Sequence, residues 1–253
     1  MEREKIIVIG DVHGEDIWKE IVNKHPGEKL IFLGDYCDPY NKELSENDVI
    51  ENLKKIILLK KKNPENVTLL LGNHDIQYIY DEAFHCSRYM YSASIRLSRV
   101  FKENIALFEK VHYFKKILFT HAGITKEWLL TSFDNIQNID VVQAINESQD
   151  TKALFACGIA RWGPELYGGI FWADRREFEN PLEGWIQVAG HSRVPEITVK
   201  HGENGGIIVF CDSLWNGNYL IIEDNQEEYS FYTSSISEER TLQIMSVSKK
   251  HIF

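Results

Sequence analysis

The sequence predicts an α/β fold, and three features carry this prediction. Three short apolar runs in the first third of the chain, rich in β-branched residues, are typical of buried parallel strands. Segments with helical patterning separate these runs, as the crossovers between parallel strands require. A second strand-rich block begins at Val111 and predicts another sheet. The three runs are residues 6–9, 30–33 and 67–71.

Two helices are predicted between the first three strands. Residues 15–24 form the first, and residues 45–62 form a clearer one that begins after Ser45 as the N-cap and ends before Pro64. Residues 76–110 are then polar and aromatic with an irregular helical period. This stretch predicts a helical cap over or beside the ends of the strands.

The second strand-rich block has its own succession of strands. Strands over residues 117–120 and 186–189 each end at a histidine, and a helical and loop region over about 125–183 separates them. Three further strands are predicted beyond them, at residues 197–200, 206–211 and 219–222. We expect this half of the chain to supply the second sheet.

Composition limits the classes of function. With 253 residues and 43% hydrophobic content, the chain predicts a single domain over residues 1–253. The net charge of −10 argues against broad nucleic-acid binding, which relies on basic surfaces. No apolar run approaches a membrane span, and four scattered cysteines form no C-x-x-C pair, so we expect a cytoplasmic protein with reduced thiols.

Five blocks of polar residues and glycine follow predicted strands directly. Because ligands bind beyond the carboxyl ends of strands in α/β sheets, these blocks are expected to converge. Asp11 and His13 lie two residues apart and can hold one ion together, while the two carboxylate oxygens of Asp35 suit a bridge to a second ion. Asn73, His121 and His191 offer further ligands for that ion. The blocks are Gly10-Asp11-Val12-His13-Gly14, Gly34-Asp35-Tyr36-Cys37-Asp38, Gly72-Asn73-His74-Asp75, His121-Ala122-Gly123 and Gly190-His191.

The same pattern predicts phosphate chemistry with its own proton donor. Two divalent cations with two carboxylates and a bridging hydroxide leave a small net positive charge, which attracts a phosphate anion. Paired metals can activate the attacking water and hold the phosphoryl group. His74 follows Asn73 directly and is predicted to be the general acid, with Asp38 orienting it and favouring its protonated form.

All five blocks, in order over residues 10–192, resemble the calcineurin-like metallophosphoesterase superfamily. Within it the chain is most similar to serine/threonine phosphoprotein phosphatases and their bacterial relatives, which include diadenosine tetraphosphate hydrolases. The resemblance implies a two-sheet β-sandwich flanked by helices in α-β-β-α layers. It also implies a pair of manganese ions, or of iron or zinc, held by the six ligand residues, with His74 and Asp38 as the acid pair. The six implied ligands are Asp11, His13, Asp35, Asn73, His121 and His191.

The chain departs from that family pattern at its arginines. The second block usually continues with Arg-Gly, whose arginine clamps phosphate, whereas this chain has Pro39-Tyr40. Trp172-Ala173-Asp174 resembles the family's Trp-Ser-Asp, but no second family arginine is evident before Gly190. We predict that Arg175 binds phosphate instead. The other replacements that the sequence offers are Arg161, Arg176 and Arg193.

These observations predict a dinuclear phosphomonoesterase that works by direct attack of metal-bound hydroxide. Its substrate would be a phosphorylated small molecule, a nucleotide or a phosphoprotein, since loss of the family arginine weakens the case for phosphoserine alone. One alternative is a dinucleoside polyphosphate hydrolase or phosphodiesterase. The other is a metal-binding scaffold of the same fold without catalysis.

Overall fold

Two mixed β-sheets with helices on their outer faces form the chain, which confirms the predicted α/β sandwich. The computed structural model describes residues 4–133, 140–237 and 240–251; part of the predicted helical and loop region over 125–183 lies outside them. One apolar cluster joins the facing sides of the sheets, with Val8 and Leu33 from the first and Phe119 and Val188 from the second. This buried layer holds the two sets of strand ends at one edge.

The first sheet has seven strands in the order β12-β11-β10-β1-β2-β3-β4. Strands β1 to β4 run parallel, and β10 to β12 extend the sheet antiparallel from β1. The strands are β1 (Glu4–Ile9), β2 (Lys29–Phe32), β3 (Val67–Leu70), β4 (Phe108–Glu109), β10 (Asn218–Asp224), β11 (Glu228–Ser235) and β12 (Thr241–Ser248).

The second sheet has five strands in the order β5-β6-β7-β9-β8. Its three central strands are parallel, while β5 and β8 pair antiparallel at the two edges. The strands are β5 (Val111–Phe114), β6 (Ile117–Thr120), β7 (Ile186–Ala189), β8 (Thr198–His201) and β9 (Ile207–Phe210).

The helices lie on the outer faces of the sheets. The side chains of α1, α2 and α4 join the outward side chains of β1 to β3 in one apolar cluster, and α6 packs beside β5. No helix among the described residues combines the length and apolarity of a membrane span. The helices are α1 (Trp18–Lys24), α2 (Glu46–Lys62), α3 (Asn73–Ile76), α4 (Ser94–Asn104), α5 (Lys126–Ser132), α6 (Asp140–Glu147) and α7 (Thr151–Leu154).

The sequence predicts the start of one of these two helices correctly and the start of the other incorrectly. Helix α2 begins after Ser45 as predicted, with a capping box in which Asp48 N donates to Ser45 Oγ at 3.2 Å. Helix α1 begins at Trp18 and not at residue 15. The physical reason is that Asn52 Nδ2 of α2 binds the carbonyls of Gly14 and Glu15, at 3.1 and 2.9 Å, which holds this segment as a turn.

One other sequence prediction requires correction. The strand predicted at residues 219–222 is β10, and it belongs to the first sheet because it pairs with the free edge of β1. Strands β11 and β12 were not predicted, since their mixed polar sequences carry no clear apolar run. Residues 76–110 contain one helix of more than a single turn, α4, together with irregular segments, and a cap formed by this stretch stays a prediction.

Candidate metal centre

All five polar blocks lie where the sequence placed them, at the carboxyl ends of β1, β2, β3, β6 and β7. The backbone at three of the predicted ligands is left-handed, with φ of 44° at His13, 52° at Asp35 and 58° at His191. Residues other than glycine adopt this conformation rarely, and such strain concentrates at functional sites. The sharp turns bring side chains from both sheets into one buried cluster.

The first group in this cluster comprises Asp11, His13 and Asp35. One ligand atom from each residue lies within 4.8 Å of the others, and all three residues are buried. His13 Nε2 lies 3.7 Å from Asp35 Oδ2. The carboxylate of Asp11 also accepts from His191 N at 3.1 Å, which ties this group to the loop after β7.

A second group comprises Asp35, His121 and His191, and Asn73 lies against it. His121 Nε2 is 3.5 Å from Asp35 Oδ1 and 2.8 Å from Asn73 Oδ1. His191 Nδ1 is 2.9 Å from the same amide oxygen. Asp35 therefore turns one carboxylate oxygen toward each group, Oδ2 toward the first and Oδ1 toward the second.

In two of the histidines, the hydrogen bond of Nδ1, which points away from the cluster, shows that Nε2 faces the cluster as an acceptor. His13 Nδ1 lies 2.9 Å from Cys37 O, and His121 Nδ1 lies 2.8 Å from Leu33 O. Carbonyl oxygens only accept, so in both rings Nδ1 carries the proton and Nε2 presents a lone pair to the cluster. This arrangement, with the outer N–H held by a backbone carbonyl, is how metal-binding histidines are oriented.

Three acceptor atoms of the second group, His121 Nε2, Asn73 Oδ1 and Asp35 Oδ1, lie close together. Asn73 Nδ2 donates to Cys86 Sγ at 3.0 Å, which leaves Asn73 Oδ1 facing His121 Nε2. That nitrogen also faces Asp35 Oδ1, and all of these atoms are acceptors. A cation between them converts the repulsion into coordination. Oxygen and imidazole donors of this kind fit manganese, iron or zinc.

The electrostatics agree with a site built for cations. Burial raises the pKa of Asp11 and of Asp35 well above the ordinary value, and neighbouring carboxylates raise it further. Burial lowers the pKa of His13 and His191 well below the usual value and that of His121 to about 3, so these imidazoles are neutral and able to bind a metal. Bound cations would offset the negative charge of the buried carboxylates.

Two glycines leave room for the carboxylates of the cluster. A Cβ at Gly72 would lie 2.2 Å from Asp35 Oδ1, and a Cβ at Gly190 would lie 2.2 Å from Asp11 Oδ1. No larger residue fits at either position without displacing a predicted ligand. These glycines therefore have a steric role at the site.

His74 and Asp38 form the predicted pair beside the cluster. His74 Nδ1 lies 2.6 Å from Asp38 Oδ2, and the His74 ring stands edge-on to His13 with 5.1 Å between ring centres. Asp38 also accepts from Gln77 Nε2 and Tyr78 Oη. Burial raises the pKa of Asp38 to about 7 and lowers that of His74 to about 3, because desolvation disfavours the charged form of each group. Burial therefore opposes the sequence prediction that Asp38 favours the protonated form of His74.

Four residues at the site were given no role from the sequence. Gln77 and Tyr78 hold Asp38, and their irregular loop offered no pattern that would indicate this. Asp212 lies just beyond β9, so its place at a strand end was a usable signal. Burial raises the pKa of Asp212 to about 6, and its carboxylate raises that of Asp11. Asp75, the last residue of the third block, is the fourth.

Asp75 is a structural anchor for the loops that carry the predicted ligands. Its fully buried carboxylate accepts from Asp35 N at 2.7 Å, Tyr36 N at 2.9 Å and Gly72 N at 2.8 Å. Burial raises the pKa of Asp75 to about 7, although the three N–H groups oppose this rise. The side chain joins the loop after β2 to the loop after β3.

Asp75→Asn is expected to lower the free energy of unfolding by about 1–3 kcal/mol. The amide replaces one acceptor oxygen with a donor, which leaves at least one buried N–H unpaired. Chemical denaturation of the purified variant measures this change, with the exposed Asp81→Asn as the control. An unfolding free energy equal to that of the control would contradict the anchoring role.

The four candidate arginines line a surface depression, and one of them, Arg193, also lines a neighbouring cavity. Arg175 is exposed on a short turn and lines a depression of about 360 Å³ together with Arg161, Arg176 and Arg193. Arg193 also lines a cavity of about 400 Å³ that contains Asp11 and His13. Of the candidates for phosphate binding, Arg193 therefore lines the same cavity as the predicted metal ligands Asp11 and His13.

Comparisons with known proteins identify one matching family and similar proteins. The model of the family described as calcineurin-like phosphoesterase matches residues 4–213. A protein phosphatase 2A catalytic subunit of Dictyostelium discoideum is 24% identical over 239 residues, which cover 88% of this chain and 67% of that protein. A solved protein serine/threonine phosphatase from Saccharomyces cerevisiae, with similarity to human phosphatase PP5, matches with a TM-score of 0.52 and 18% identity. This match covers 94% of this chain and 81% of the yeast chain.

Proposed function

This chain belongs to the calcineurin-like phosphoesterase family, and we propose that it is a two-metal hydrolase of phosphomonoesters. One observation carries the proposal. The two oxygens of Asp35 face two separate groups of imidazole and oxygen ligand atoms, and in the second group His121 Nε2 presents a lone pair to both Asn73 Oδ1 and Asp35 Oδ1. Two cations that share Asp35 account for both groups.

The ligands divide between the two ions according to these groups. Asp11, His13 and Asp35 would hold one ion, and Asp35 would share the other with the three remaining ligands, Asn73, His121 and His191. We propose manganese for both ions, with iron or zinc as alternatives. When bound, the ions would supply an activated water and neutralise charge on the phosphoryl group.

The remaining steps belong to the chain's own side chains. His74 would donate a proton to the leaving oxygen through Nε2, because Nδ1 is held at 2.6 Å by Asp38 Oδ2. Asp38, whose pKa is raised to about 7, would carry a second proton and pass it to Nδ1 as Nε2 releases its own, so that the ring stays neutral. Asp38, held in turn by Gln77 and Tyr78, would keep this ring oriented. Arg175 stays a prediction for phosphate binding, and we propose that Arg193 joins it because it lines the cavity of Asp11 and His13.

A second candidate function rests on the depression beside the site. Its lining includes four arginines, and its one acid, Asp174, already pairs with Arg161 and Arg176 at 2.7 Å each. The excess positive charge suits a substrate with several phosphates. A dinucleoside polyphosphate hydrolase or phosphodiesterase is therefore the alternative to a phosphomonoesterase.

The test is a hydrolysis screen with defined metals. Protein loaded with manganese, iron or zinc is expected to release phosphate from p-nitrophenyl phosphate, and the metal-free protein is expected to be inactive. Phosphopeptides, nucleoside monophosphates and dinucleoside polyphosphates then separate the two candidate functions. Metal-replete protein that is inert toward the whole panel would contradict both and favour a scaffold of the same fold.

A further inference from the structure

The cavity that contains Asp11 and His13 has aromatic walls. It has a volume of about 400 Å³, and its lining includes Tyr40 and Trp215. Both rings are large apolar surfaces left about half exposed, 47% for Tyr40 and 48% for Trp215. A volume of this size suits a small ligand, and the lining combines the two rings with polar side chains such as Glu15 and Asn41.

Tyr40 is fixed in place next to the candidate metal centre. Its ring stands edge-on to the His13 ring with 4.9 Å between ring centres, and the guanidinium of Arg88 packs on it at 3.6 Å. Arg88 is itself held, since its Nε donates to Asp38 O at 3.1 Å. The aromatic wall is therefore connected to both His13 and the loop that carries Asp38.

A single planar group bridges the two aromatic rings. The guanidinium of Arg193 lies 4.5 Å from the Tyr40 ring centre and 4.0 Å from the Trp215 ring centre. Arg193 is exposed, and its positive charge acts on the carboxylate of Asp212, which lines the same cavity. Its place against the two rings shows that this part of the cavity accepts a flat group, and the exposed Arg193 side chain would have to leave this place before another flat group could enter.

We propose that this cavity seats a planar aromatic ring in the esterified part of the substrate, stacked on Tyr40 and Trp215. The proposal rests on the phosphoesterase function and names its substrate class. When the ring enters, Arg193 leaves the two rings and turns its guanidinium to the phosphate. The shared chemistry is the flat π-face, which a nucleobase and an aryl alcohol both offer.

Substrates that differ in the ring test this proposal. Adenosine 5′-monophosphate and ribose 5-phosphate share their leaving alcohol and differ by the base, and phenyl phosphate represents the aryl source. Tyr40→Ala and Trp215→Ala are each expected to lower kcat/KM about tenfold for at least one of the ring-bearing substrates. Both variants are expected to lower kcat/KM for ribose 5-phosphate much less, so that the ratio of kcat/KM for that ring-bearing substrate to kcat/KM for ribose 5-phosphate falls several-fold.

Three further measurements separate stacking from misfolding and from loss of catalysis. Tyr40→Phe and Trp215→Phe keep an aromatic ring and are expected to restore the preference for the ring-bearing substrate over ribose 5-phosphate. Trp162→Ala, which removes a 98% exposed ring outside the cavity, is expected to change nothing. Adenosine and phenol carry no phosphate, so their contact with metal-free protein by saturation-transfer NMR reports the cavity even if no phosphoester is hydrolysed.

The outcomes are distinct. Contact of either ring compound with wild-type protein that is lost in both alanine variants supports the proposal, whether or not the protein is a hydrolase. A loss limited to adenosine identifies a nucleobase site, and a loss limited to phenol identifies an aryl site. Equal kcat/KM losses for ribose 5-phosphate and the ring-bearing substrates, or ring contacts unchanged by the alanine variants, would overturn it.

Discussion

Asp35→Asn is expected to abolish metal-dependent turnover, with a loss of at least about 10³-fold. Asp35 offers one oxygen to each of the two groups of predicted ligands, so the substitution weakens both proposed cation sites together. A bound metal supplies several kcal/mol of stabilisation to the transition state, and about 4 kcal/mol corresponds to a thousandfold change in rate. The measurement pairs kcat with metal content by elemental analysis.

The control and the contradicting result for this variant are specific. Asp16→Asn changes an exposed acid that pairs with Lys19 on the surface, and it is expected to leave both readouts unchanged. Asp35→Asn should also bind less metal per protein than wild type. Full metal content with full turnover would show that Asp35 does not bridge two ions.

His74→Asn is expected to lower kcat by about 10²–10⁴-fold for esters with poor leaving groups. The reason is that the leaving alkoxide then lacks a proton donor held by Asp38 at 2.6 Å. p-Nitrophenolate is a stable anion that needs little protonation, so the loss for its ester is expected to be much smaller. Turnover of an alkyl phosphate and of p-nitrophenyl phosphate in parallel measures the difference.

The metal content of the variant is measured as well, because His74 lies next to a predicted metal ligand: His74 N donates to Asp35 Oδ1 at 2.8 Å. This backbone contact survives the substitution. His112→Asn serves as the matched control. It removes a histidine on β5 that pairs with Glu109 on β4. An equal loss for both leaving groups would assign His74 to substrate binding or to structure and not to proton donation.

The predicted ligand cluster shows how much of the site the local sequence could predict. Apolar runs followed by glycine and a polar residue predicted strand ends, and the order of five such blocks predicted that Asp11, Asp35 and His121 would converge. The residues do converge. This success has a physical cause, since the carboxyl ends of parallel strands meet at one edge of a sheet and packing then brings two such edges together.

Local sequence patterns could not predict contacts between segments that lie far apart in the chain. The β1 edge is completed by β10, which arrives more than 200 residues later, and the sequence has no local mark for that pairing. The start of α1 is set by Asn52 of another helix. The presence of Arg193, and not of Arg175, in the cavity of Asp11 likewise depends on how loops from separate strands pack.

The sequence by itself therefore determined the α/β class, the helix cap at Ser45 and the set of polar side chains that gather at the strand ends. Each of these depends on chemistry within a few neighbouring residues. Only the tertiary structure decided which atoms face each other: the two oxygens of Asp35, the proton-bearing Nδ1 of His121 and the aromatic wall at Tyr40. Burial, desolvation and the pairing of acceptors arise from residues far apart in the chain, so they become defined only when the two sheets pack together.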